Sequence, residues 1–345
     1  MKGKRLLSAA LALLLLSLAG CGSGGQGAAP NYNWSQNATQ NAEQSGRVSD
    51  DVRKCDLRLL DGSKKPVSNK NALVFEKEPK SYYIRIANLN EVEVDCTVFA
   101  YQEEAFIPLS IEGGEPADYY VTRLAKKETV MLPVTFHPKE LPSDQPAVFL
   151  LGCALADANR VEIMRSMTAP AVNISNVFTQ SLQMQAADKA AEVHEKTEDV
   201  VRNGIRSEYI NDGTPLEERD PLMSAGLSFG EKLDASTLFS IRPQVQDTEE
   251  LYLRAQSYVG VGKCTAVVFV DNVPVKAFDG KTFASHSRKE MEAYSFPIDK
   301  SVLPKGEHTL YGICFYDDSI RASFTDPESA TNLAEAFTMA IINVK

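Results

Sequence analysis

The feature that most constrains the fold of this chain is an internal duplication. Residues 82–85 (YYIR) are followed by residues 96–99 (CTVF), and at nearly the same distance residues 251–254 (LYLR) are followed by residues 264–269 (CTAVVF). The matching continues downstream in the same order: residues 136, 141–142 and 150–153 in the first copy, residues 296, 303–304 and 310–314 in the second, and similar closing segments at 167–174 and 337–344. The shared order and spacing predict that the chain builds the same module twice.

Short β-branched and aromatic runs make up each copy and predict β-strands. They lie at 81–87, 95–101 and 147–156 in the first copy and at 251–256, 264–270 and 308–316 in the second. Asp271-Asn272 between two apolar runs is a tight-turn signal, so the strand before it should fold back as a hairpin. Strands at this spacing, without long helices inside a copy, predict a mainly β fold of two antiparallel β-sandwiches.

The segment between the copies has a different composition. Residues 179–202 are rich in Ala, Gln and Glu and contain neither Gly nor Pro. An apolar stripe at helical spacing runs along them: Leu182, Ala186, Ala190, Val193 and Val200. This pattern predicts a helix inside a linker of residues 178–221. The helix is either a spacer lying partly on its neighbours or a seam for a partner or for self-pairing.

The N-terminus carries an export signal. Basic residues at positions 2, 4 and 5 precede an uncharged stretch that is too short to span a membrane, and the sequence LAGC follows at residues 18–21. This end resembles the lipobox of bacterial lipoproteins. The resemblance implies removal of residues 1–20, diacylation of the Cys21 thiol and an extracytoplasmic protein held on the bacterial cell membrane or outer membrane. Two or three acyl chains give a stable anchor where a single chain does not.

Composition defines the remaining organisation of the chain. Residues after Cys21 as far as about residue 50 are rich in Gly, Ser, Asn and Gln and cannot bury enough apolar surface to fold, which predicts a disordered tether over 21–51. The predicted modules then occupy 52–177 and 222–345. Three of the 36 Lys and Arg residues lie in the signal, so 33 remain against 46 Asp and Glu, a net charge of −13. This balance argues against nucleic acid and against docking on anionic lipid by charge.

Two phrases of the second copy carry a resemblance to a known architecture. Residues 267–275 (VVFVDNVPV) and 303–315 (LPKGEHTLYGICF) resemble fibronectin-III-like and bacterial immunoglobulin-like adhesion modules. The resemblance covers residues 52–175 and 222–345 and implies β-sandwiches with an interaction role. Antibody-type domains have a core Trp between the cysteines and a Tyr two residues before the second one, and this chain lacks both. Only the sandwich architecture is therefore carried over.

Five cysteines follow Cys21. Cys96 and Cys153 in the first copy are equivalent to Cys264 and Cys314 in the second, and each pair falls on two strands that should be neighbours. An exported protein permits disulfides, so both pairs are candidate bridges, with buried thiols as the alternative. Cys55 has no equivalent and is a free thiol, an intermolecular bridge or a buried bystander. No two cysteines have the short spacing of a zinc site, so no metal is predicted there.

Two further groups are candidate binding residues. Tyr119 and Tyr120 follow a Gly-rich approach that predicts an irregular loop, where aromatic rings can stack on sugars; tyrosines buried at a sandwich edge are the alternative. Asp317 and Asp318 end a predicted strand, and with the acidic residues at 326 and 328 they form a weak candidate site for Ca²⁺, which prefers oxygen ligands. A solvated acidic loop is the alternative for this second group.

No catalytic motif stands out along the chain. It lacks a G-x-S-x-G elbow, a P-loop and a paired-His zinc helix, and nothing in the sequence brings Ser285, His286 and Asp279 together. We therefore expect a non-enzymatic interaction or scaffold module at the cell surface that binds an envelope protein. The alternatives are a module that binds glycans or the cell wall, a substrate-binding lipoprotein of a transporter, and an unrecognised hydrolase.

Overall fold

Two pairs of β-sheets make up the structure, which is a computed structural model. It describes residues 55–68, 72–75, 80–138, 147–156, 177–186, 199–203, 206–209, 225–229, 250–257, 262–287, 289, 291–317, 334–336 and 340–344. The mainly β fold expected from the strand pattern is confirmed. Within the described residues no helix is long and apolar enough to cross a membrane.

Ten strands form the first pair of sheets. They are β1 (Cys55–Leu60), β2 (Leu73–Phe75), β3 (Tyr82–Asn88), β4 (Val94–Gln102), β5 (Ala105–Phe106), β6 (Leu109–Ile111), β7 (Tyr119–Leu124), β8 (Thr129–Phe136), β9 (Ala147–Ala156) and β10 (Val177–Ala186). Sheet A has the order β1-β3-β8-β6. Sheet B has the order β2-β10-β9-β4-β5, with β7 also paired to β4.

The remaining strands form the second pair of sheets, and the first two of them come from the predicted linker. They are β11 (Val200–Val201), β12 (Arg206–Tyr209), β13 (Ala225–Phe229), β14 (Leu251–Ser257), β15 (Lys263–Val270), β16 (Val273–Val275), β17 (Phe283–Ser287), β18 (Glu292–Pro297), β19 (Gly306–Tyr316), β20 (Ala334–Ala336) and β21 (Ala340–Val344), with a 3₁₀ helix at Lys300–Val302. Sheet C has the order β11-β17-β15-β19-β20, with β16 on β15 and β21 on β19. Sheet D has the order β12-β18-β14-β13.

The central strands of the two pairs of sheets correspond. In sheet B, β4 lies beside β9 with Val98 opposite Cys153, and in sheet C, β15 lies beside β19 with Ala266 opposite Cys314. The central strands β3 and β8 of sheet A have β14 and β18 of sheet D as their equivalents. Sequence repeat and structural repeat therefore have the same register, and we call the A/B and C/D pairs module 1 and module 2.

The predicted linker helix is wrong where the structure describes it. Val177–Ala186 forms β10, which pairs with β9 and β2, and Val200–Val201 forms β11; residues 187–198 lie outside the described part. Leu182, Met184 and Ala186 are buried, while Gln183 and Gln185 between them are only partly buried. An apolar spacing of four residues fits one face of a helix and one face of a strand equally well, because four is a multiple of the strand period of two. Buried and partly buried side chains alternate around Met184, and this alternation is typical of a strand.

Candidate functional site

The outer faces of sheets B and C pack against each other, so the two modules share one hydrophobic core. Phe99 of β4 contacts Phe269 of β15 and Phe315 of β19, with ring centroids 6.1 Å and 5.9 Å apart. Tyr101 stacks on Phe315 with centroids 3.8 Å apart and an interplanar angle of 11°. Strands β4, β15 and β19 are consequently buried on both faces. This joint leaves neither face available to another molecule.

The Phe99 ring, which contacts module 2 in this joint, packs closely on a glycine of the neighbouring strand. Gly152 lies directly opposite Phe99, and a Cβ atom at Gly152 would stand 2.4 Å from the Phe99 ring. The equivalent pair in module 2 is Val267 and Ile313. At this cross-strand position module 1 thus pairs a phenylalanine with a glycine, whereas module 2 pairs two aliphatic residues of intermediate size.

Two equivalent hairpin turns enter the joint from opposite sides. Glu103-Glu104 joins β4 to β5, and Asp271-Asn272 joins β15 to β16. All four residues have positive φ, 42° and 69° in the first turn and 46° and 68° in the second. This is the type I′ geometry that matches the twist of a two-residue hairpin. The turn predicted at Asp271-Asn272 is confirmed, and its counterpart in module 1 carries two glutamates instead.

Asn272 is the polar centre of one side of the joint and is 1 % exposed. The backbone carbonyl oxygen of Asn272 accepts a hydrogen bond of 2.5 Å from the Thr97 hydroxyl of module 1. The side-chain nitrogen of Asn272 lies 3.3 Å from the Asp95 carbonyl oxygen. Within module 2 the Tyr311 hydroxyl donates to Asn272 Oδ1 over 2.5 Å. A neutral amide satisfied in this way can be buried without the cost of an unpaired polar group.

Glu104 holds the equivalent place on the other side and is 7 % exposed. Its Oε2 accepts a hydrogen bond of 2.6 Å from Arg202, and Oε1 lies 3.8 Å from Lys263 Nζ. Burial alone would raise the pKa of Glu104, but the Arg202 hydrogen bond and the positive charge of Lys263 outweigh it, so the pKa is lowered. Glu104 is therefore a carboxylate at neutral pH.

Each of the two turns contacts the equivalent position of the other module. Lys263 is the equivalent of Asp95, since each stands directly before one of the equivalent cysteines Cys96 and Cys264. Asn272 thus reaches module 1 at Asp95, and Glu104 reaches module 2 at the equivalent Lys263. An interface in which each partner uses the same patch is the isologous arrangement of a two-fold dimer. The modules pack as a pseudo-symmetric dimer within one chain.

The outer face of sheet A is open. Met131 is 44 % exposed, and Arg85 opposite it lies beside Arg58 of β1. Asp56 accepts hydrogen bonds from both guanidiniums, over 2.9 Å from Arg58 and at close range from Arg85. The equivalent outer face of sheet D is different, because Arg254 on it is 1 % exposed. Among the sheet faces that the structure describes, the outer face of sheet A offers side chains to a partner.

Tyr119 and Tyr120 lie in strand β7 at the edge of sheet B, where the sequence predicts a loop. Tyr119 packs against the joint between the modules and Tyr120 against the core of module 1, so both are half-buried. Burial raises the pKa of both side chains. Alternation along the strand sends the two rings to opposite faces, so they do not form one stacking platform.

Asp317 lies just beyond β19 and is held by the start of β15. Its Oδ2 accepts a hydrogen bond of 2.5 Å from the Lys263 backbone nitrogen. Asp318 and the acidic residues at 326 and 328 lie outside the described part, as does Cys21, where the sequence predicts lipidation. Among the described residues no three His, Cys, Asp or Glu side chains are grouped in a way that could hold a metal ion.

The structure shows no disulfide bond between any of the five cysteines of the modules. Cys96 and Cys153 lie on neighbouring strands, as predicted, but Cys153 stands opposite Val98, two residues along from Cys96. Cys264 and Cys314 have the same offset, because Cys314 stands opposite Ala266. The structure therefore shows neither predicted bridge. Cys55 has a neighbour that the sequence did not indicate, since its sulfur lies 3.7 Å from that of Cys153.

Ser285 and His286 do not form a catalytic pair. They are consecutive residues of β17 and point to opposite faces of sheet C. The Thr265 hydroxyl donates to Ser285 over 3.4 Å, whereas His286 Nε2 lies 3.0 Å from a Glu292 oxygen. Asp279 is in an exposed turn. Nothing in the sequence indicated that these residues meet, and the structure separates Ser285 from His286.

Comparison with known proteins identifies no family for this chain. No family model and no curated protein matches the chain. Solved structures that are similar include the CARDB domain of a Pyrococcus furiosus protein in complex with di-metal ions, at 14% identity and a TM-score of 0.22 over 40% of this chain and 98% of that one. They also include Salmonella enterica SafA pilin with its SafB chaperone, at 8% and 0.25 over 85% and 97%, and the E. coli chaperone DraB, at 9% and 0.25 over 86% and 98%.

At these TM-scores the similarities carry no argument about this chain. The sheet orders define the class of this protein as a mainly β protein of immunoglobulin-like sandwich modules, because β1-β3-β8-β6 and β10-β9-β4 follow the strand order of that fold.

Proposed function

We propose that this protein is an extracytoplasmic bacterial lipoprotein, anchored through Cys21, that acts as a non-enzymatic interaction module of the cell envelope. The lipobox-like LAGC at residues 18–21 supports the anchor and the compartment. The immunoglobulin-like architecture supports a binding role. The particular contact surface that we assign is the open outer face of sheet A.

The observation that carries this assignment is the difference between the four sheets. Sheets B and C cover each other, and the outer face of sheet D is buried at Arg254 and Ser295. Among the large apolar side chains of the described strands, Met131 of sheet A is the most exposed, ahead of Val74 at the edge of sheet B, and it lies in line with two arginines. Methionine, arginine and aromatic residues are enriched at protein interfaces.

The charge of this face indicates the chemistry of the partner. Burial would raise the pKa of Asp56, but the hydrogen bonds from Arg85 and Arg58 outweigh it and lower the pKa, so Asp56 is ionised. One carboxylate between two guanidiniums leaves a net positive charge on a protein that is acidic overall. We therefore propose a protein partner whose contact surface combines an apolar patch with carboxylates.

The test is affinity capture by the full-length lipoprotein from detergent-solubilised envelope, with crosslinking and mass spectrometry. Met131→Glu places a carboxylate in the face, and Leu89→Glu is its matched control, because Leu89 is also 44 % exposed but lies in the loop after β3. We expect one envelope protein, crosslinked to β1, β3 or β8, whose capture falls about tenfold or more with Met131→Glu and is unchanged with the control.

Three results would decide against parts of this proposal. Equal capture by the Met131→Glu and Leu89→Glu variants would show that the contact does not lie on sheet A. Capture of wall polymer without protein would favour the alternative of a glycan- or cell-wall-binding module. A protein that stays in the membrane fraction after Cys21→Ser would contradict the lipid anchor.

A further inference from the structure

Three thiols meet inside module 1. Cys55 belongs to β1 of sheet A, and Cys153 and Cys96 belong to β9 and β4 of sheet B. The Cys55 and Cys153 sulfurs face each other across the sandwich, 3.7 Å apart. Cys153 and Cys96 are fully buried, while Cys55 is half-buried at the start of its strand. Cys153 is thus the central member, with one thiol on the opposite sheet and one on the neighbouring strand.

The geometry separates the two possible pairings of Cys153. Cys96 is its diagonal neighbour in the same sheet and is close enough for a side-chain hydrogen bond with Cys153, but the Cα atoms of diagonal neighbours lie roughly 7–8 Å apart, beyond the range of about 4.4–6.8 Å that a disulfide spans. A change of side-chain rotamer cannot remove this offset because the strand register fixes it. Cys55 is on the facing sheet, and its sulfur already contacts that of Cys153. Only modest rotation about the side-chain bonds separates this contact from a bond.

We propose that Cys55 and Cys153 form a disulfide that joins sheet A to sheet B, and that Cys96 stays a thiol. The proposal rests on the export proposed above, because the oxidant is an envelope thiol oxidoreductase in its disulfide form. One thiolate of the pair attacks that disulfide and gives a mixed disulfide, releasing the first oxidoreductase thiol. The second thiolate attacks the mixed disulfide and releases the other. The two cysteines lose two electrons and two protons, and the oxidoreductase is reduced to a dithiol.

The surroundings of Cys55 indicate when the bond forms. Its contact with Cys153 and its burial raise the pKa of the thiol. The thiolate is the reactive species, so exchange on the closed sandwich is slow. The bond therefore forms during folding, before sheet A closes over sheet B. Once formed, it closes a loop of nearly a hundred residues, |i−j| = 98, and constrains the unfolded chain.

Module 2 provides an internal comparison. It has cysteines at the equivalents of Cys96 and Cys153, namely Cys264 and Cys314, and no further cysteine. Cys264 and Cys314 have the same diagonal offset as Cys96 and Cys153. The proposal therefore predicts one disulfide in the chain, in module 1, and two free thiols in module 2.

The first test is peptide mapping of the full-length protein, purified from the envelope, alkylated in denaturant and digested with trypsin without reduction. Trypsin places Cys55, Cys96 and Cys153 in separate peptides, 55–58, 86–123 and 140–160. We expect peptide 55–58 linked to 140–160, with the other three module cysteines alkylated. A link between 86–123 and 140–160, a bridge between two chains, or alkylation of all five thiols would overturn the proposal.

The second test is thermal unfolding with and without reductant. The wild type should lose on the order of 5–10 °C in melting temperature on reduction. Cys96→Ser and Cys264→Ser should retain this loss, whereas Cys55→Ser should melt at one temperature in both conditions. Loss of the reductant effect in Cys96→Ser would overturn the proposal, since it would assign the bond to Cys96.

Refolding in a glutathione redox buffer separates the two proposals. A 55–153 bridge that forms on refolding but is absent from the cellular protein would support the sulfur geometry and contradict export to an oxidising compartment. Absence of the bridge in both would contradict the geometry. Presence in both is the expected result.

Discussion

Asn272 and Glu104 occupy the same place in equivalent type I′ turns, and both are buried between the modules, yet they are held in different ways. Asn272 is a neutral amide whose partners are other buried groups, including the Tyr311 hydroxyl. Glu104 is a carboxylate whose partners, Arg202 and Lys263, have side chains 43 % and 56 % exposed. The same backbone position thus supports a buried hydrogen-bond network on one side and an ion pair open to water on the other.

This difference teaches how a duplicated interface can diverge while its geometry stays fixed. A hydrogen bond between buried neutral groups is costly to break, because each orphaned group stays away from water. An ion pair with half-exposed cations contributes little, because water and salt screen it and solvate the cations when it breaks. We therefore expect the Asn272 side of the joint to carry more of the stability than the Glu104 side.

Asn272→Gly is expected to have the largest effect. Glycine tolerates the positive φ of this position, so the substitution removes the side chain without straining the turn. Loss of the amide leaves the Tyr311 hydroxyl without its acceptor, and we expect the free energy of unfolding to fall by about 2–4 kcal/mol. Chemical denaturation of this variant and of Glu104→Gly, the same change in the other turn, measures the comparison directly. Equal losses would refute the asymmetry.

Gly152→Ala should have an intermediate effect. Its new methyl group would stand 2.4 Å from the Phe99 ring, so the ring must move within a packed joint, at a cost of about 1–3 kcal/mol. Phe99→Val reproduces the smaller residue found at the equivalent position, Val267, and has a cost of its own because it removes buried ring contacts. Gly152→Ala should therefore cost less in the Phe99→Val background than in the wild type, as thermal melting of both single variants and the double variant would show. An equal cost in the two backgrounds would show that contact with the ring is not the cause.

Glu104→Gln should have the smallest effect and one that depends on pH. The folded-state pKa of Glu104 is lowered from its ordinary 4.5, so ionised Glu104 stabilises the fold above about pH 4.5 and that stabilisation is lost as the pH falls through the folded-state value. We expect wild type to exceed the variant by about 1 kcal/mol near pH 7, and this difference to shrink in acid. Urea unfolding of both proteins at several pH values measures it. A difference that is constant with pH would contradict the ion-pair assignment.

Much of the fold could be predicted from local signals. The strand pattern of β3, β4, β14 and β15 is visible in alternating and β-branched residues, and Asp271-Asn272 has the residues that a type I′ turn prefers. The turn at Glu103-Glu104 has no such signal, because glutamate rarely adopts positive φ, and only the alignment of the two copies could have indicated it. The segment 179–186 was assigned to a helix because its apolar spacing also fits that structure.

The candidate site was less accessible to sequence. Continuous apolar runs such as residues 264–270 indicate burial on both faces, but they do not say what covers the second face. Met131 and Arg85 are separated by the whole of β4 to β7 along the chain and come together only through the pairing of β3 with β8. The sequence paired cysteines by their equivalent positions in the two copies. It could not indicate that Cys55, which has no equivalent, lies next to Cys153.

The sequence by itself determined the duplication, most strands and one of the two turns, because each depends on residues close together in the chain. Tertiary structure alone decided that sheets B and C cover each other, that sheet A stays open and that Cys55 faces Cys153. These contacts join residues as far apart as Thr97 and Asn272, and they depend on how whole sheets stack and on strand register across the sandwich. No local periodicity encodes that arrangement.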